Sequence, residues 1–214
     1  MSWAAIIVAS GSSRRMGFDK LSAQIDGKPI LWHSTRAFSS LEEISQVVVV
    51  TPLERFEWLH DLGKKVQRAD GGRERADSVA AGLATLASDI THVAIHDGAR
   101  PCVSKDAILK TFHEAVELGA ASLARKVTET LKRADSSDMT TDSVSRDHLW
   151  IMETPQIFSV KLIQEAYKKV RQGDDQVTDE VSALQLIGQR TKLVENITPN
   201  PKITIQADLE NLHF

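Results

Sequence analysis

Short apolar runs rich in β-branched residues alternate along this chain with segments of helical periodicity, and this alternation restricts the possible folds more than any other feature. Strands are predicted at 4–9, 46–50, 65–68, 92–95, 120–124, 149–153 and 192–196. Helices are predicted at 29–38, 53–62, 75–87, 105–118, 159–170 and 178–187, with Ser104 and Thr178 as N-caps. Such alternation forms βαβ units, so we expect an α/β fold whose mostly parallel sheet is flanked by helices. Ligands of such sheets bind at the carboxyl ends of the strands.

Length and composition indicate one domain over residues 1–214 and a cytoplasmic location. The chain has 214 residues, and its one cysteine, Cys102, has no partner for an internal disulfide. The net charge of −3 provides no general attraction for nucleic acid. The apolar run 3–9 lacks a basic flank and is far shorter than the roughly 20 residues of a membrane span. We therefore expect neither nucleic acid nor membrane as a partner.

The segment 127–148 interrupts the alternation, because it is polar and has a centre rich in Ser, Asp and Thr. Its flanks alternate weakly, which predicts two strands with a turn near 135–141. An isolated hairpin is only marginally stable in water. We interpret the segment as a β-arm that leaves the domain and leans on another surface, for which a second subunit is the obvious candidate.

The loop 10–20, which follows the first predicted strand, combines small residues with cations. Ser10 and Gly11 allow backbone N–H groups to approach an anion closely. The loop matches neither the P-loop nor the dinucleotide-binding glycine pattern. Arg14, Arg15 and Lys20 would repel one another unless an anion lay among them. We therefore predict a phosphate-binding loop; the alternative is a basic surface loop without a ligand.

A glycine turn follows the third predicted strand and precedes a helix. Gly72 and Arg73 lie in the turn, and Arg75 and Ser78 lie in the first helical turn. Glycine leaves the backbone free to meet a base or ribose, and a helix N-terminus favours phosphate. The alternative is an ordinary glycine turn before a helix.

Asp97 and Arg100 follow the fourth predicted strand. A carboxylate at this position can hold a Mg²⁺–triphosphate or a hydroxyl group, and a guanidinium suits a phosphate. A structural Asp97–Arg100 salt bridge is the alternative. Three later segments are weaker signals: 153–158 is predicted to join a strand to a helix, 177–180 caps a helix, and 199–204 places a lysine beside a turn.

Taken in order, these segments resemble the 2-C-methyl-D-erythritol 4-phosphate cytidylyltransferases of the non-mevalonate isoprenoid pathway. The resemblance runs from Ala4 to about Leu209 and rests on GSSRRMG, GGRERADSVAAGL, HDGARP, TETLKR, SRDHLW, ETPQIF, TDE and PKIT. It implies a Rossmann-like sheet of the nucleotide-diphospho-sugar transferase type and a protruding β-arm that interlocks a homodimer. It also implies that the acceptor, a sugar-alcohol phosphate, attacks the α-phosphate of CTP and releases pyrophosphate. Mg²⁺ would be held mainly by the CTP phosphates, without a firm protein ligand.

The resemblance also implies roles for individual residues. Arg15 and Lys20 would be catalytic, stabilising charge at the α-phosphate and on the leaving pyrophosphate. Residues implied in nucleotide binding are Ala9, Ser10, Gly11, Ser12, Ser13, Gly72, Arg73, Arg75 and Ser78. Residues implied in acceptor binding are Asp97, Arg100, Thr130, Arg146, Thr154, Thr178 and Lys202. Of these, Thr130 and Arg146 lie on the arm and would reach the active site of the partner subunit.

Three alternative functions are possible, and particular residues distinguish each of them from the cytidylyltransferase. Asp19-Lys20-Leu21 stands where the family often has Pro-Lys-Gln, and it resembles a pattern of molybdenum-cofactor guanylyltransferases. The related ribitol 5-phosphate cytidylyltransferases tend to have valine at the position of Ala99, so HDGARP favours the erythritol acceptor. A non-catalytic nucleotide-binding regulator would not need cations that stabilise an α-phosphate.

Overall fold

The computed structural model describes residues 2–11, 18–173 and 177–210. Its strands are β1 (Ser2–Val8), β2 (Gln24–Ile25), β3 (Lys28–Pro29), β4 (Ile44–Val50), β5 (Val66–Ala69), β6 (Ile90–Asp97), β7 (Ala120–Lys126), β8 (Leu131–Ala134), β9 (Thr140–Val144), β10 (Trp150–Ser159) and β11 (Lys192–Glu195). Its α-helices are α1 (Ile30–Ser39), α2 (Leu53–Phe56), α3 (Arg75–Ala84), α4 (Lys105–Leu118), α5 (Val160–Val170), α6 (Glu180–Gln185) and α7 (Gln206–Glu210). Two 3₁₀ turns lie at Lys20–Ser22 and Glu57–Leu59.

Seven strands form the central sheet in the order β11-β7-β10-β6-β1-β4-β5. The pairs β6–β1, β1–β4, β4–β5 and β11–β7 are parallel, whereas β10 is antiparallel to both of its neighbours. The expected mostly parallel α/β sheet is therefore confirmed. The carboxyl ends of β1 and β6 lie side by side, because Val8 is in register with Asp97.

Helices cover both faces of this sheet. Since strand side chains alternate between faces, Ala5 and Ile7 of β1 belong to one buried cluster, and Ala4 and Ile6 belong to the other. On the second face, α3 packs closely on β1 at Gly82. A Cβ at Gly82 would lie 2.7 Å from a methyl carbon of Ile6, so a larger residue would push α3 away. This close packing sets the position of the helix that carries Arg75.

Several predicted boundaries are wrong. The segment 53–62 forms only one turn of α-helix and then a 3₁₀ turn. Phe56 and Trp58 both pack on the core, which a continuous α-helix would prevent by placing them on opposite sides. The segment 153–158 lies within β10 and does not join a strand to a helix.

Two further local features differ from the expectation. Asp179, and not Thr178, caps α6, since its carboxylate accepts a hydrogen bond from the Ser182 amide. The hairpin of β2 and β3 was not predicted; its turn holds Asp26 and Gly27 at positive φ, and an Asp-Gly pair is the sequence signal that could have revealed it.

The predicted hairpin in segment 127–148 is confirmed. Strands β8 and β9 pair antiparallel, from the pair Leu131–Val144 to the pair Ala134–Thr140 next to the turn. In the turn, the Asp135 carboxylate accepts hydrogen bonds from the amides of Ser137 and Met139. Nearly every residue of both strands is exposed. We refer to β8, β9 and their turn as the arm.

Within the described residues, the helices are too short or too polar to traverse a lipid bilayer.

Candidate active site

A cleft of about 650 Å³ opens at the carboxyl ends of β1 and β6. It brings together the first loop, the glycine turn before α3, the end of β6 and the segment after β11. Its lining residues are Val8, Ala9, Ser10, Gly11, Lys20, Leu21, Gly72, Arg73, Glu74, Arg75, Asp97, Ala99 and Lys202. Eight of the residues predicted from the sequence to bind substrate or catalyse therefore share one cleft with Lys20.

Ser78 connects the first loop to the glycine turn from behind the cleft. Its hydroxyl lies 2.8 Å from that of Ser10 and accepts a hydrogen bond of 3.2 Å from the Gly72 amide. Because Ser78 is fully buried, its position supports the cleft wall, and direct contact with a nucleotide stays a prediction.

The two glycines of this turn are required by packing. A Cβ at Gly71 would lie 2.4 Å from Cβ of Ser10, and one at Gly72 would lie 2.1 Å from Cβ of Asp77. Both distances are shorter than any real carbon contact, so a larger residue would push the turn away from the first loop at position 71 or from α3 at position 72.

Asp97 is the buried carboxylate of the cleft, only 8% exposed. Its oxygens lie 2.9 Å from the Lys202 ammonium and 3.5 Å from both Arg75 and Arg100. Burial alone would raise the pKa of Asp97, but Lys202, Arg75 and Arg100 overcome this effect and hold the pKa well below its usual range. Asp97 is therefore ionised and can only accept hydrogen bonds.

The Asp97–Arg100 salt bridge considered from the sequence does exist, and Asp97 nevertheless lines the cleft. Arg100 instead lines a neighbouring cavity of about 450 Å³, which shares Lys202 with the cleft. Its Nη1 donates a 2.7 Å hydrogen bond to the Asn200 carbonyl.

Arg75 was expected to face a phosphate, but two carboxylates engage it in this structure. Its Nη1 donates to Glu180 at 2.5 Å, and its Nη2 lies 3.5 Å from Asp97. Glu180 is fully buried and also accepts a 3.0 Å hydrogen bond from the Tyr167 hydroxyl. Burial lowers the pKa of Arg75, but the Glu180 carboxylate outweighs this effect and raises it. The sequence gives no signal that Glu180 belongs to the site, since nothing local links it to Arg75.

Thr154 was expected in the acceptor pocket, but in this structure its hydroxyl forms hydrogen bonds to buried groups of the protein. Its Oγ1 accepts from the Asp97 amide at 3.1 Å and lies 3.0 Å from Nδ1 of His96. Nε2 of His96 lies 3.0 Å from the Arg100 carbonyl, which can only accept, so Nε2 carries the proton and Thr154 donates to Nδ1. Burial lowers the pKa of His96 to about 4 and keeps the ring neutral.

Lys20 is the first residue of the 3₁₀ turn that Asp19 caps. Its ammonium donates a 2.7 Å hydrogen bond to the carbonyl of Ile203, which is next to Lys202 in the chain. The cations expected to act on the two substrates therefore belong to segments that touch each other.

Other predicted residues lie elsewhere or cannot be placed. Thr130 and Arg146 lie at the base of the arm, where Arg146 donates to the Thr128 carbonyl. Thr178 lines a second cavity beside α3 and α5, which shares Glu74 and Arg75 with the cleft. Ser12, Ser13 and Arg15 lie outside the described residues.

Comparisons with known proteins agree on one family. A family model described as 2-C-methyl-D-erythritol 4-phosphate cytidylyltransferase matches residues 3–214. Relatives with this name include one from Caldanaerobacter subterraneus, 36% identical over 98% of this chain and 96% of its own length, and one from Dechloromonas aromatica, 38% identical over 96% and 93%.

Solved structures of that enzyme are also similar. The one from Francisella tularensis has a TM-score of 0.85 at 28% identity and covers 98% of this chain and 97% of its own. The one from Thermus thermophilus has a TM-score of 0.84 at 27% identity and covers 98% and 96%.

Proposed function

The chain belongs to the 2-C-methyl-D-erythritol 4-phosphate cytidylyltransferase family, and from that premise we propose how its residues divide the work of the reaction. It is a nucleotidyltransferase that transfers CMP from CTP to 2-C-methyl-D-erythritol 4-phosphate in isoprenoid biosynthesis. The products are 4-diphosphocytidyl-2-C-methyl-D-erythritol and pyrophosphate. The observation that carries the assignment of roles is the shared cleft, which joins the first loop and the glycine turn to Asp97 and Lys202.

The nucleotide occupies the part of the cleft between β1 and α3. Ala9, Ser10 and Gly11 present backbone groups after the end of β1, where anions are favoured. Gly72 and Arg73 form the opposite wall and contact base and ribose. Ser78 acts from behind, because its hydroxyl holds Ser10 and Gly72 together.

The acceptor occupies the part of the cleft around Asp97 and Lys202. An ionised carboxylate accepts hydrogen bonds from acceptor hydroxyl groups. Lys202, with 46% of its side chain exposed, can move from Asp97 to the acceptor phosphate. Arg75 and Arg100 then keep the Asp97 carboxylate charged and in place.

Catalysis depends on charge stabilisation at the α-phosphate. The attacking phosphate oxygen forms a bond to the α-phosphorus as the bond to pyrophosphate breaks, so negative charge builds on the leaving group. Lys20 lies in the cleft and supplies a cation for this charge, and Arg15 supplies a second. No protein nucleophile is needed.

Mg²⁺ fits this site as an ion that arrives with the triphosphate. Residues 2–11, 18–173 and 177–210 contain no cluster of three or more His, Cys, Asp or Glu side chains arranged to hold a metal. Mg²⁺ commonly takes substrate phosphates and waters with few protein ligands. When bound, it supplies neutralisation of the triphosphate charge.

The arm makes the protein a homodimer and completes the neighbouring active site. Its strands are exposed and have little apolar surface to bury within one chain. Arg146 and Thr130, at its base, reach the acceptor of the other subunit. The single cysteine is consistent with a reducing compartment, and we place the enzyme in the cytoplasm.

A pyrophosphate-release assay tests the function directly. Four nucleoside triphosphates are each combined with 2-C-methyl-D-erythritol 4-phosphate, ribitol 5-phosphate or molybdopterin. We expect strong release only from CTP with the methylerythritol phosphate. Equal or greater release with ribitol 5-phosphate would refute the acceptor assignment, and release with GTP and molybdopterin would refute the nucleotide assignment.

A further inference from the structure

Arg55 lies on α2, outside every motif of the sequence, yet its guanidinium is directed at the two ends of the first loop. Its Nε donates a 2.6 Å hydrogen bond to Oδ2 of Asp19. Its Nη2 donates to the Gly11 carbonyl at 2.9 Å, and its Nη1 bonds the Ala9 carbonyl. The residue is only 8% exposed. One buried side chain on α2 therefore binds Ala9, which precedes the loop, and Gly11 and Asp19 within it.

Asp19 connects Arg55 to Lys20, because it caps the turn in which Lys20 lies. While Oδ2 binds Arg55, Oδ1 accepts a 3.1 Å hydrogen bond from the Leu21 amide and so caps the 3₁₀ turn that begins at Lys20. The Lys20 ammonium in turn reaches the Ile203 carbonyl at 2.7 Å. Arg55, Asp19 and Lys20 thus form a continuous chain of contacts from α2 to the cleft.

The carbonyl contacts orient the loop backbone as well. In a trans peptide the N–H points opposite to the C=O. Because the Ala9 carbonyl is held toward Arg55, the Ser10 amide points away from Arg55, and Ser10 lines the cleft. A planar guanidinium suits this task, since its donors are fixed relative to one another and its hydrogen bonds to carboxylate are strong.

Asp19 is also the residue at which this chain departs from the Pro-Lys-Gln that is frequent in its family. A proline could not accept a hydrogen bond from Arg55 or cap the turn through a side chain. In this chain, the aspartate that replaces the usual proline is bound by the buried Arg55.

We propose that Arg55 is a positioning residue for nucleotidyl transfer. Through Asp19 and the carbonyls of Ala9 and Gly11, it holds Lys20 and the loop backbone at the place where they meet the triphosphate. This role rests on the proposed function, because Lys20 matters to turnover only if the cleft transfers a nucleotidyl group. A displacement of about 1 Å in a catalytic group costs on the order of 10²-fold in rate, so loss of this contact is measurable.

The test compares Arg55→Met, Asp19→Asn and the double variant with a matched control pair. Lys28 and Asp61 also form a 2.6 Å ion pair, but an exposed one, and Lys28→Met with Asp61→Asn serves as the control. We expect Arg55→Met to lower kcat about 30-fold and weaken CTP binding about five-fold, with the KM of the acceptor within about two-fold. Asp19→Asn should lower kcat about five-fold, and the double variant should be no more than about two-fold worse than Arg55→Met, as for residues acting in one chain.

Two results would overturn the proposal: a kcat within about two-fold of wild type in folded Arg55→Met, or fully multiplicative effects of the two substitutions. If Arg55→Met does not fold, Arg55→Lys replaces it, since one ammonium cannot reach all three acceptors; an unchanged kcat would then refute the role. Wild-type turnover is measured first, and its absence would contradict the proposed function itself. Calorimetric CTP binding still decides in that case, because equal affinity in wild type and variant refutes the positioning of the loop.

Discussion

The cleft and the arm both extend from the central sheet, but they are stabilised in opposite ways. In the cleft, Asp97 and Glu180 are buried, and each carboxylate is bound by cations or a hydroxyl of the same chain. In the arm, cross-strand contacts such as the 2.6 Å hydrogen bond from Lys132 to Ser143 lie in solvent, and Met139 at the tip is 67% exposed. The buried carboxylates of the cleft find their partners within one chain, whereas the arm has no core of its own.

This difference determines where the effects of substitutions should be seen. Removing one partner of a buried ion pair costs about 3–5 kcal/mol, whereas an exposed pair contributes about 1 kcal/mol or less. Changes in the cleft should therefore affect each subunit by itself. Changes in the arm should affect assembly and the neighbouring site.

The largest effect is expected for Lys20→Ala. Loss of a transition-state contact should lower kcat by about 10² or more and leave CTP affinity within a few-fold, since the backbone still binds the phosphates. Pyrophosphate release and calorimetry measure the two quantities. Lys110→Ala, on the exposed side of α4, is the control. Turnover close to wild type in Lys20→Ala would remove Lys20 from catalysis.

The buried His96 makes the stability of each subunit depend on pH. Its pKa is lowered from 6.5 to about 4 in the folded state, so the unfolded chain binds a proton first as the pH falls. The stabilisation is fully present above pH 6.5 and is lost toward pH 4, with a loss of about 2 kcal/mol between pH 7 and pH 5. Partly buried His92, whose pKa is also lowered, adds in the same direction.

Urea unfolding at each pH measures this loss for wild type and for His96→Gln. The variant should show a clearly shallower pH dependence, whatever its absolute stability. Identical slopes for the two proteins would show that folding does not lower the pKa of His96.

At the base of the arm, Arg146→Ala should lower activity by about ten-fold or more, because the acceptor phosphate loses a cation. Its distinctive property is complementation. In an equal mixture with Lys20→Ala, half of the dimers are mixed, and one of their two sites has both Lys20 and Arg146, so activity should return to about a quarter of wild type. No recovery, in mixed dimers shown to form, would mean that the arm serves its own subunit.

The smallest effect on the subunit itself is expected from removal of the arm. Replacing residues 131–144 with an Asn-Gly turn should change the free energy of unfolding of one subunit by less than about 1 kcal/mol, because the lost residues are exposed. Light scattering should show one chain in place of two, and the thermal midpoint should no longer rise with protein concentration. A variant that stays dimeric would locate the subunit interface elsewhere.

Local signals were enough to predict much of the framework. Helix α4 has the predicted bounds, because the Ser104 side chain caps its start and Gly119, at a φ of 83°, ends it. Strands β1, β4 and β6 were likewise predicted from short apolar runs rich in β-branched residues, and the arm hairpin from weak alternation. The family was identifiable as well, since its motifs occur in order along nearly the whole chain.

By itself, the sequence determined the order of elements, the family and the segments that meet at the carboxyl ends of the strands, since each depends on neighbours in the chain. Only the tertiary structure decided that Arg75 is shared by Asp97 and Glu180, that Thr154 serves His96, and that Arg55 holds the first loop. Arg75 and Glu180 are 105 residues apart, and no local pattern specifies such a pair. A buried charge must find its partner among the groups that packing brings to it, so its role follows from the completed fold.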